Sequence, residues 1–151
     1  FALSNPTNLT EIMPEDAIAW TDGQVWMATG SPFPAVTWKG KQHIIGQGSN
    51  TFVFPGIGWG VAASGARTVE AEMMTDASFA LASQVTPERL ASGAVFPPIA
   101  DLMKVTDHVA RAVAESAMRI GVATVSREQM DKRLSQRDWT PEYANYELDA
   151  S

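Results

Sequence analysis

The stretch GQGSNTFVFPGIGWG, residues 46–60, separates two parts of the chain that have different sequence patterns. Before it, short apolar runs alternate with turn residues, a pattern typical of strands. After it, apolar residues recur at the spacing of helix faces. Gly46 and Gly48 allow backbone conformations that other residues rarely adopt. The stretch therefore predicts a strand-rich α/β region over residues 1–48 and a mostly helical region over residues 49–151.

The polar residues inside this stretch have two interpretations. Ser49, Asn50 and Thr51 are all suited to cap the N-terminus of a helix. The same position suits a small anionic ligand, because the unpaired N–H groups and the dipole of a helix N-terminus both favour negative charge. Residue type alone favours the capping role. The sequence therefore predicts a helix after Asn50, with the Asn50 amide as a candidate ligand contact.

The first 29 residues have the pattern of a βαβ unit. Residues 1–4 predict a short buried strand that ends at Asn5 and Pro6, since proline cannot join a central ladder. A helix is predicted from Pro14 to about Trp20, and a second buried strand over residues 25–29. The two strands should be parallel, so the polar segments SNP (4–6) and TGSP (29–32) should meet at the edge where open α/β sheets bind ligands.

The remaining elements follow from local signals. Residues 36–38 and 41–45 predict a hairpin around Lys39 and Gly40. Helices are predicted from Asn50 to about Ala66, over 69–85, from Pro87 until Gly93, over about 101–120, and from Ser126 toward Leu134. Three aromatic residues in the tail, Trp139, Tyr143 and Tyr146, predict that the tail docks on the same chain or on a neighbouring subunit.

Composition narrows the functional classes. The chain has 151 residues, a formal charge of −6, 45% hydrophobic residues and no cysteine. The acidic balance argues against nucleic-acid binding, and the weakly polar run over 51–66 is too short for a membrane span. The absence of cysteine excludes thiolate chemistry and is typical of a reducing compartment, so a cytoplasmic protein is expected. The abrupt apolar start predicts that the chain is the C-terminal piece of a longer protein.

Several ordered motifs resemble the malic enzymes, and the resemblance covers essentially the whole chain. The motifs are FALSNPT (1–7), WTDG (20–23), ATGSPF (28–33), GQGSN (46–50), FPGIG (54–58), ASGAR (63–67), FPP (96–98) and WTPEY (139–143), the last similar to the C-terminal end of bacterial members. The resemblance implies the C-terminal part of a Rossmann-like, doubly wound parallel sheet. On this basis residues 1–48 are the last βαβ unit and hairpin of a dinucleotide-binding domain, and residues 49–151 are its helical part.

The resemblance also implies an activity and a set of site residues. Malic enzymes oxidise L-malate with NAD or NADP and a divalent metal, Mg or Mn, and decarboxylate the product to pyruvate. Asn5 and Asn50 are expected to bind the substrate, together with Ser49, which stands where the family commonly has another asparagine. The residues expected near the cofactor are Ser4, Asn5, Gly30 and Ser31.

The family resemblance places the catalytic tyrosine and lysine, the metal ligands and the phosphate loop before the FALSNPT motif. No catalytic residue or metal ligand is therefore expected in this chain, which alone should be inactive. Homo-oligomers, dimers or tetramers, are expected for the intact protein. Two alternatives stay open: a malolactic enzyme, which converts malate to lactate, and a non-catalytic binding or oligomerisation module.

Overall fold

The computed structural model describes residues 1–136 as an α/β structure, with short strands first and helices after them. Its elements in chain order are α1 (Pro14–Trp20), β1 (Ala28–Thr29), β2 (Val36–Trp38), β3 (Lys41–His43), β4 (Gly46–Gln47), α2 (Phe54–Ser64), α3 (Ala71–Ala82), α4 (Pro87–Ala91), α5 (Leu102–Arg119) and α6 (Arg127–Ser135). Single 3₁₀ turns precede α1, α2 and α5 at Thr7–Leu9, Asn50–Phe52 and Ile99–Asp101. The predicted division into strands and then helices is confirmed.

A parallel ladder with β1 at its centre organises the first part of the chain. On one side, Ala2 pairs in parallel with Thr29, and the amide of Ala2 donates to the carbonyl of Ala28 at 3.0 Å. On the other side, β4 pairs in parallel with β1, with Ala28 opposite Gly46. The predicted parallel pairing of the segments on either side of α1 is confirmed. The pairing of β4 was not predicted, because two residues beside a glycine carry no strand pattern of their own.

Two predicted strands are shorter and more exposed than expected. In the first, only Ala2 is buried, while the side chains of Phe1 and Leu3 are 78% and 48% exposed. Strand side chains alternate between faces, so Phe1 and Leu3 lie on the face opposite Ala2. The second predicted strand, 25–29, shortens to β1, and Trp26 in it is 68% exposed. Ala2 and β4 supply the backbone partners of β1, and Met27 just before it makes an isolated parallel bridge with Ala94.

The hairpin is confirmed, although its second strand ends at His43 instead of residue 45. Strands β2 and β3 are antiparallel, with Val36 opposite His43. Lys39 and Gly40 both have positive φ, 48° and 79°, as the tight turn of a twisted hairpin requires. The His43 side chain is buried under this hairpin.

The predicted helices are present with small shifts at their ends. Helix α1 has the predicted bounds, with proline in its first turn, and α6 begins with the predicted capping box of Ser126 and Gln129. Helix α3 begins two residues and ends three residues inside the predicted range of 69–85. The helix predicted from Asn50 divides into a 3₁₀ turn and α2, which ends at Gly65 in the left-handed conformation. The aromatic tail residues Trp139, Tyr143 and Tyr146 lie outside the described residues.

A glycine face on α2 allows close packing against α5. Gly56 and Gly60 are both buried there. An added Cβ at Gly56 would lie 2.7 Å from Val109, and one at Gly60 would lie 2.5 Å from the carbonyl oxygen of Ala110. Gly56 and Gly60 are four residues apart and so lie on one face of the helix, which either another backbone or a flat ligand could approach. The structure places a backbone there.

The apolar core falls into two clusters. One lies under the hairpin and includes Ile18, Met27 and Ile45. The other lies between α2, α3 and α5 and contains Phe52, Met73 and Val109 among its members. The ring of Phe96 packs between the two parts of the chain: it stacks on Phe52 at 6.1 Å and meets Phe1 edge-on at 6.4 Å.

Substitutions at two glycines of α2 should have opposite effects. Gly60→Ala should lower the free energy of unfolding by about 1–3 kcal/mol, because the added methyl overpacks the α2–α5 contact. Gly58→Ala is the matched control: nothing lies within 4 Å of an added Cβ at that position. It should be neutral or should stabilise the helix by up to about 1 kcal/mol. Urea unfolding of both variants measures the difference. Equal stability of the two would contradict the packing described here.

Candidate functional site

Three polar segments lie at one edge of the parallel ladder, where the chain leaves each strand. They are SNP (4–6) after Ala2, GSP (30–32) after β1, and GSN (48–50) after β4. Because the three strands are parallel, their carboxyl ends are on the same side. The amide of Gly30 donates to the carbonyl of Ala2 at 2.9 Å, and that of Gly48 donates to the carbonyl of Thr29 at 2.8 Å. These bonds hold the three segments side by side.

Asn5 is fixed by a side chain of the neighbouring segment. The hydroxyl of Ser31 donates to Oδ1 of Asn5 at 2.5 Å. Ser31 is itself buried, and its carbonyl accepts a 2.8 Å bond from the hydroxyl of Thr29. Asn5 is exposed. With its carbonyl oxygen occupied, Asn5 presents its NH₂ group, a pure hydrogen-bond donor, at the open edge.

Gly30 is required by the close approach of the first segment. A Cβ at this position would lie 2.2 Å from the carbonyl oxygen of Leu3 and 3.1 Å from Oδ1 of Asn5. Any other residue at this position would push Leu3 and Asn5 away from β1. The contribution of Gly30 to the site is therefore the absence of a side chain, which lets Asn5 and Ser31 meet.

The hydroxyl of Ser4 is bound to a carboxylate that sequence reasoning did not select. Ser4 donates to Oε1 of Glu11 at 2.6 Å, and its amide donates to Oε2 at 3.4 Å. The hydroxyl bond from Ser4 is the main cause that holds the pKa of Glu11 below its usual value. Nothing in the residue pattern around Glu11 indicates this contact, because the pairing depends on how the turn after Pro6 folds back.

Gln47, the last residue of β4, connects its strand to the segment that follows β1. Its Nε2 donates to the carbonyl of Gly30 at 3.0 Å, so the side chain spans from β4 to the segment after β1. This residue was not selected from the sequence, because β4 has no strand pattern of its own. Asn5 and Asn50 are joined through Gly30 and Gln47, and no direct hydrogen bond between them occurs in residues 1–136.

Ser49 acts as the cap that the sequence allowed. Its hydroxyl accepts from the amide of Thr51 at 3.3 Å and lies 2.8 Å from the Thr51 hydroxyl. It caps the 3₁₀ turn Asn50–Phe52 and not α2, which begins at Phe54. The prediction of an α-helix N-terminus at Asn50 is therefore wrong. Pro55, which suits only a first turn, places the start of α2 four residues later. Asn50 itself is exposed.

Within residues 1–136, no group of three or more His, Asp or Glu side chains is placed to hold a metal ion. Among the helices in this part of the chain, none combines the length and apolar character needed to cross a membrane.

Comparison with known proteins decides the family. The family described as "Malic enzyme, NAD binding domain" matches residues 1–118. The chain belongs to this family. The expected resemblance and the expected fold, part of a nucleotide-binding α/β domain, are confirmed.

Individual relatives agree with the family match. The NAD-dependent malic enzyme of Aeromonas salmonicida is 45% identical over 147 residues, which are 97% of this chain and 26% of the relative. That of Proteus mirabilis is 45% identical over 145 residues, 95% of this chain. The crystal structure of malic enzyme from Pyrococcus horikoshii superposes with a TM-score of 0.58 at 29% identity, over 85% of this chain and 27% of that one. The chain thus spans about a quarter of the length of the malic enzymes it matches.

The Ser4–Glu11 contact predicts an acid titration. The pKa of the Glu11 carboxyl should lie below its ordinary value of 4.5. Ser4→Ala should raise that pKa toward 4.5, because the substitution removes the main hydrogen-bond donor. Because the pKa of Glu11 is lowered in the folded state, the contact stabilises the protein at pH values above 4.5. This stabilisation is lost as the pH falls through the lowered pKa.

Carbon-detected NMR of the Glu11 side chain measures this titration. Thr7→Ala is the control, since Thr7 is an exposed hydroxyl residue nearby. It should leave the Glu11 midpoint unchanged. A midpoint that does not move in Ser4→Ala would contradict the assignment of the bond.

Proposed function

We propose that the protein carrying this chain is a malic enzyme that oxidises L-malate to pyruvate and CO₂ while reducing NAD. The family match and the NAD-dependent malic enzymes at 44–45% identity support the reaction and the cofactor. In this proposal residues 1–151 provide one wall of the site, and the remaining catalytic parts belong to other segments of the protein. The Ser31–Asn5 bond is the observation that carries the proposal, because it builds an oriented donor at the edge where ligands bind.

The chemistry of the amides suits a dicarboxylate. Malate carries two negative charges, and an amide NH₂ donates to a carboxylate without adding a titratable group to the site. Hydrogen bonds to a charged acceptor are stronger than those between neutral groups. Asn5 would hold one end of the substrate, and Asn50, exposed at the same edge, would donate to it as well. Ser49 would act by fixing the turn that presents Asn50, since its hydroxyl lies within hydrogen-bond distance of Thr51.

The cofactor would lie against the same edge. Bound NAD supplies the hydride acceptor, and a divalent metal supplies a Lewis acid that polarises the substrate oxygen. On the cofactor side, Ser31 and Gly30 would hold Asn5 beside the nicotinamide ring of NAD. Ser4, oriented by Glu11, would face the nicotinamide ribose. No group for the metal is assigned to the described residues. The Mg or Mn ligands and the acid/base pair are proposed to lie in other segments of the protein.

Further parts of the proposal concern the whole protein. We place its activity in the cytoplasm and expect a homo-oligomer, with the aromatic tail as a candidate contact. The division of the chain at residues 48 and 49 stays a prediction; the membership of the two apolar clusters on either side of it supports that division.

Replacing the two asparagines tests the proposal in the complete protein. Asn5→Ala and Asn50→Ala should each lower kcat/KM for malate about 10- to 100-fold, since each removes a hydrogen bond to a charged group. Asn50→Asp should have the larger effect, because a carboxylate repels the substrate. Asn8→Ala is the control: Asn8 is an exposed asparagine in the turn Thr7–Leu9 and should keep kcat/KM within about twofold. Unchanged kcat/KM in both alanine variants would contradict the proposed roles.

The isolated chain provides a second test. Residues 1–151 mixed with malate, NAD and Mn²⁺ should produce no NADH, because the proposal places the acid/base pair and metal ligands elsewhere. Absorbance of NADH and chromatographic detection of pyruvate or lactate measure the outcome. Turnover by the isolated chain would show that the division of catalytic parts is wrong, and lactate from the complete protein would identify a malolactic enzyme instead.

A further inference from the structure

A cleft beside the candidate site contains an arginine that the proposed mechanism does not use. It has a volume of about 190 Å³. Its walls are Pro32, Phe33, Ile45, Pro97, Pro98 and Ile99, and its polar lining side chains are Gln47 and Arg89. Pro32 and Phe33 directly follow Ser31 in the chain, and the side chain of Gln47 donates a hydrogen bond to the carbonyl of Gly30. The cleft therefore adjoins the edge that carries Asn5 and Asn50.

The guanidinium of Arg89 is held in place by one of its three nitrogens. Nε donates to the carbonyl of Phe96 at 2.6 Å, a short bond that fixes the plane of the group. Among residues 1–136, no salt bridge to a carboxylate involves Arg89. The side chain is half-buried, unlike the arginines of α5, which are paired with acids on the outside of the helix.

The apolar surroundings of Arg89 strengthen its electrostatic attraction for an anion. Proline, phenylalanine and isoleucine side chains around a guanidinium exclude part of the water that would otherwise screen it. Two terminal nitrogens in a fixed plane match the two oxygens of a carboxylate or a phosphate. Gln47 adds a neutral amide to the same cleft. A space of about 190 Å³ corresponds to about six water volumes at roughly 30 Å³ each, enough for a small oxyanion but not for a dinucleotide.

We propose that Arg89 is the anchor of an oxyanion subsite in this cleft, taking a carboxylate or phosphate group at the carboxyl edge of the sheet. The inference rests on the proposed function for its ligand: a dicarboxylic substrate or regulator would supply a carboxylate, and the cofactor would supply a phosphate. In either case the positive charge complements the neutral amides of Asn5 and Asn50, which orient an anion but do not neutralise it.

Anion-dependent thermal stability of the complete protein tests the subsite without relying on turnover. The probes are malonate, a non-reacting dicarboxylate, and inorganic phosphate, each compared with chloride at equal ionic strength. At least one probe should raise Tm relative to chloride, and Arg89→Gln should need about tenfold more of that probe for the same increment. Lys104→Gln removes an exposed positive charge from α5 and should leave the increment unchanged.

The readout separates binding from a structural role. Loss of the Arg89–Phe96 bond lowers Tm with and without anion by the same amount, whereas loss of the subsite reduces the anion-dependent increment. Arg89→Lys keeps the positive charge but loses the paired terminal nitrogens of the guanidinium, so it should need about threefold more anion for the same increment in Tm. This variant provides the test if Arg89→Gln does not fold. An increment equal to that of the unaltered protein in these variants, or no increment in the unaltered protein, would overturn the proposal.

Kinetics then identify the source of the anion. If the ligand is a carboxylate, the malonate increment falls in Arg89→Gln and KM for malate rises with KM for NAD unchanged. If it is a phosphate, the phosphate increment falls and KM for NAD rises. A protein that never turns over malate would overturn the proposed function, while the anion increments would still decide the subsite.

Discussion

The site depends on one backbone constraint, the pairing of β1 with a parallel partner on each side. Thr29 lies opposite Ala2 on one side and opposite Gln47 on the other. The segments that follow the three strands are therefore brought to one edge, although they are far apart in the sequence. Neighbouring strands lie about 4.8 Å apart, so residues that follow adjacent strands are within reach of one side chain. The bonds from Ser31 to Asn5 and from Gln47 to Gly30 are the consequence.

Glycines make this arrangement and its support possible. Gly30 lets the carbonyl of Leu3 approach, and Gly60 lets α5 approach α2. The GSN segment is anchored to the helical core at its C-terminal end. The turn Asn50–Phe52 leads into α2, and Phe52 is fully buried in that core. Phe96 packs on Phe52 and Phe1, and its carbonyl accepts from Arg89. The polar residues of the three segments therefore lie on loops whose ends are fixed by packing on both sides.

Local signals in the sequence predicted the helices better than the strands. Pro14 with two acids after it gives α1 its bounds, and Ser126 with Gln129 gives α6 its capping box, because both signals act within one turn. Strand signals failed where structure depends on partners: Phe1 and Leu3 are apolar yet exposed, and β4 forms because β1 offers a free edge. The sequence pattern placed SNP and TGSP at one edge correctly, since parallel pairing alone requires it. The sequence did not predict the roles of Gln47, Glu11 and Arg89, because these roles depend on contacts with residues that are not their sequence neighbours.

The central claim is that Asn5 and Asn50 serve one ligand. The direct measurement is an NMR titration of the complete, ¹⁵N-asparagine-labelled protein with malate in the presence of NAD, with the amide signals assigned by substitution. The side-chain signals of Asn5 and Asn50 should move together along one saturation curve with a single Kd, while the signal of Asn8 stays in place. Movement of only one of the two asparagines, or two curves with different Kd values, would contradict the claim that the parallel ladder builds a shared site.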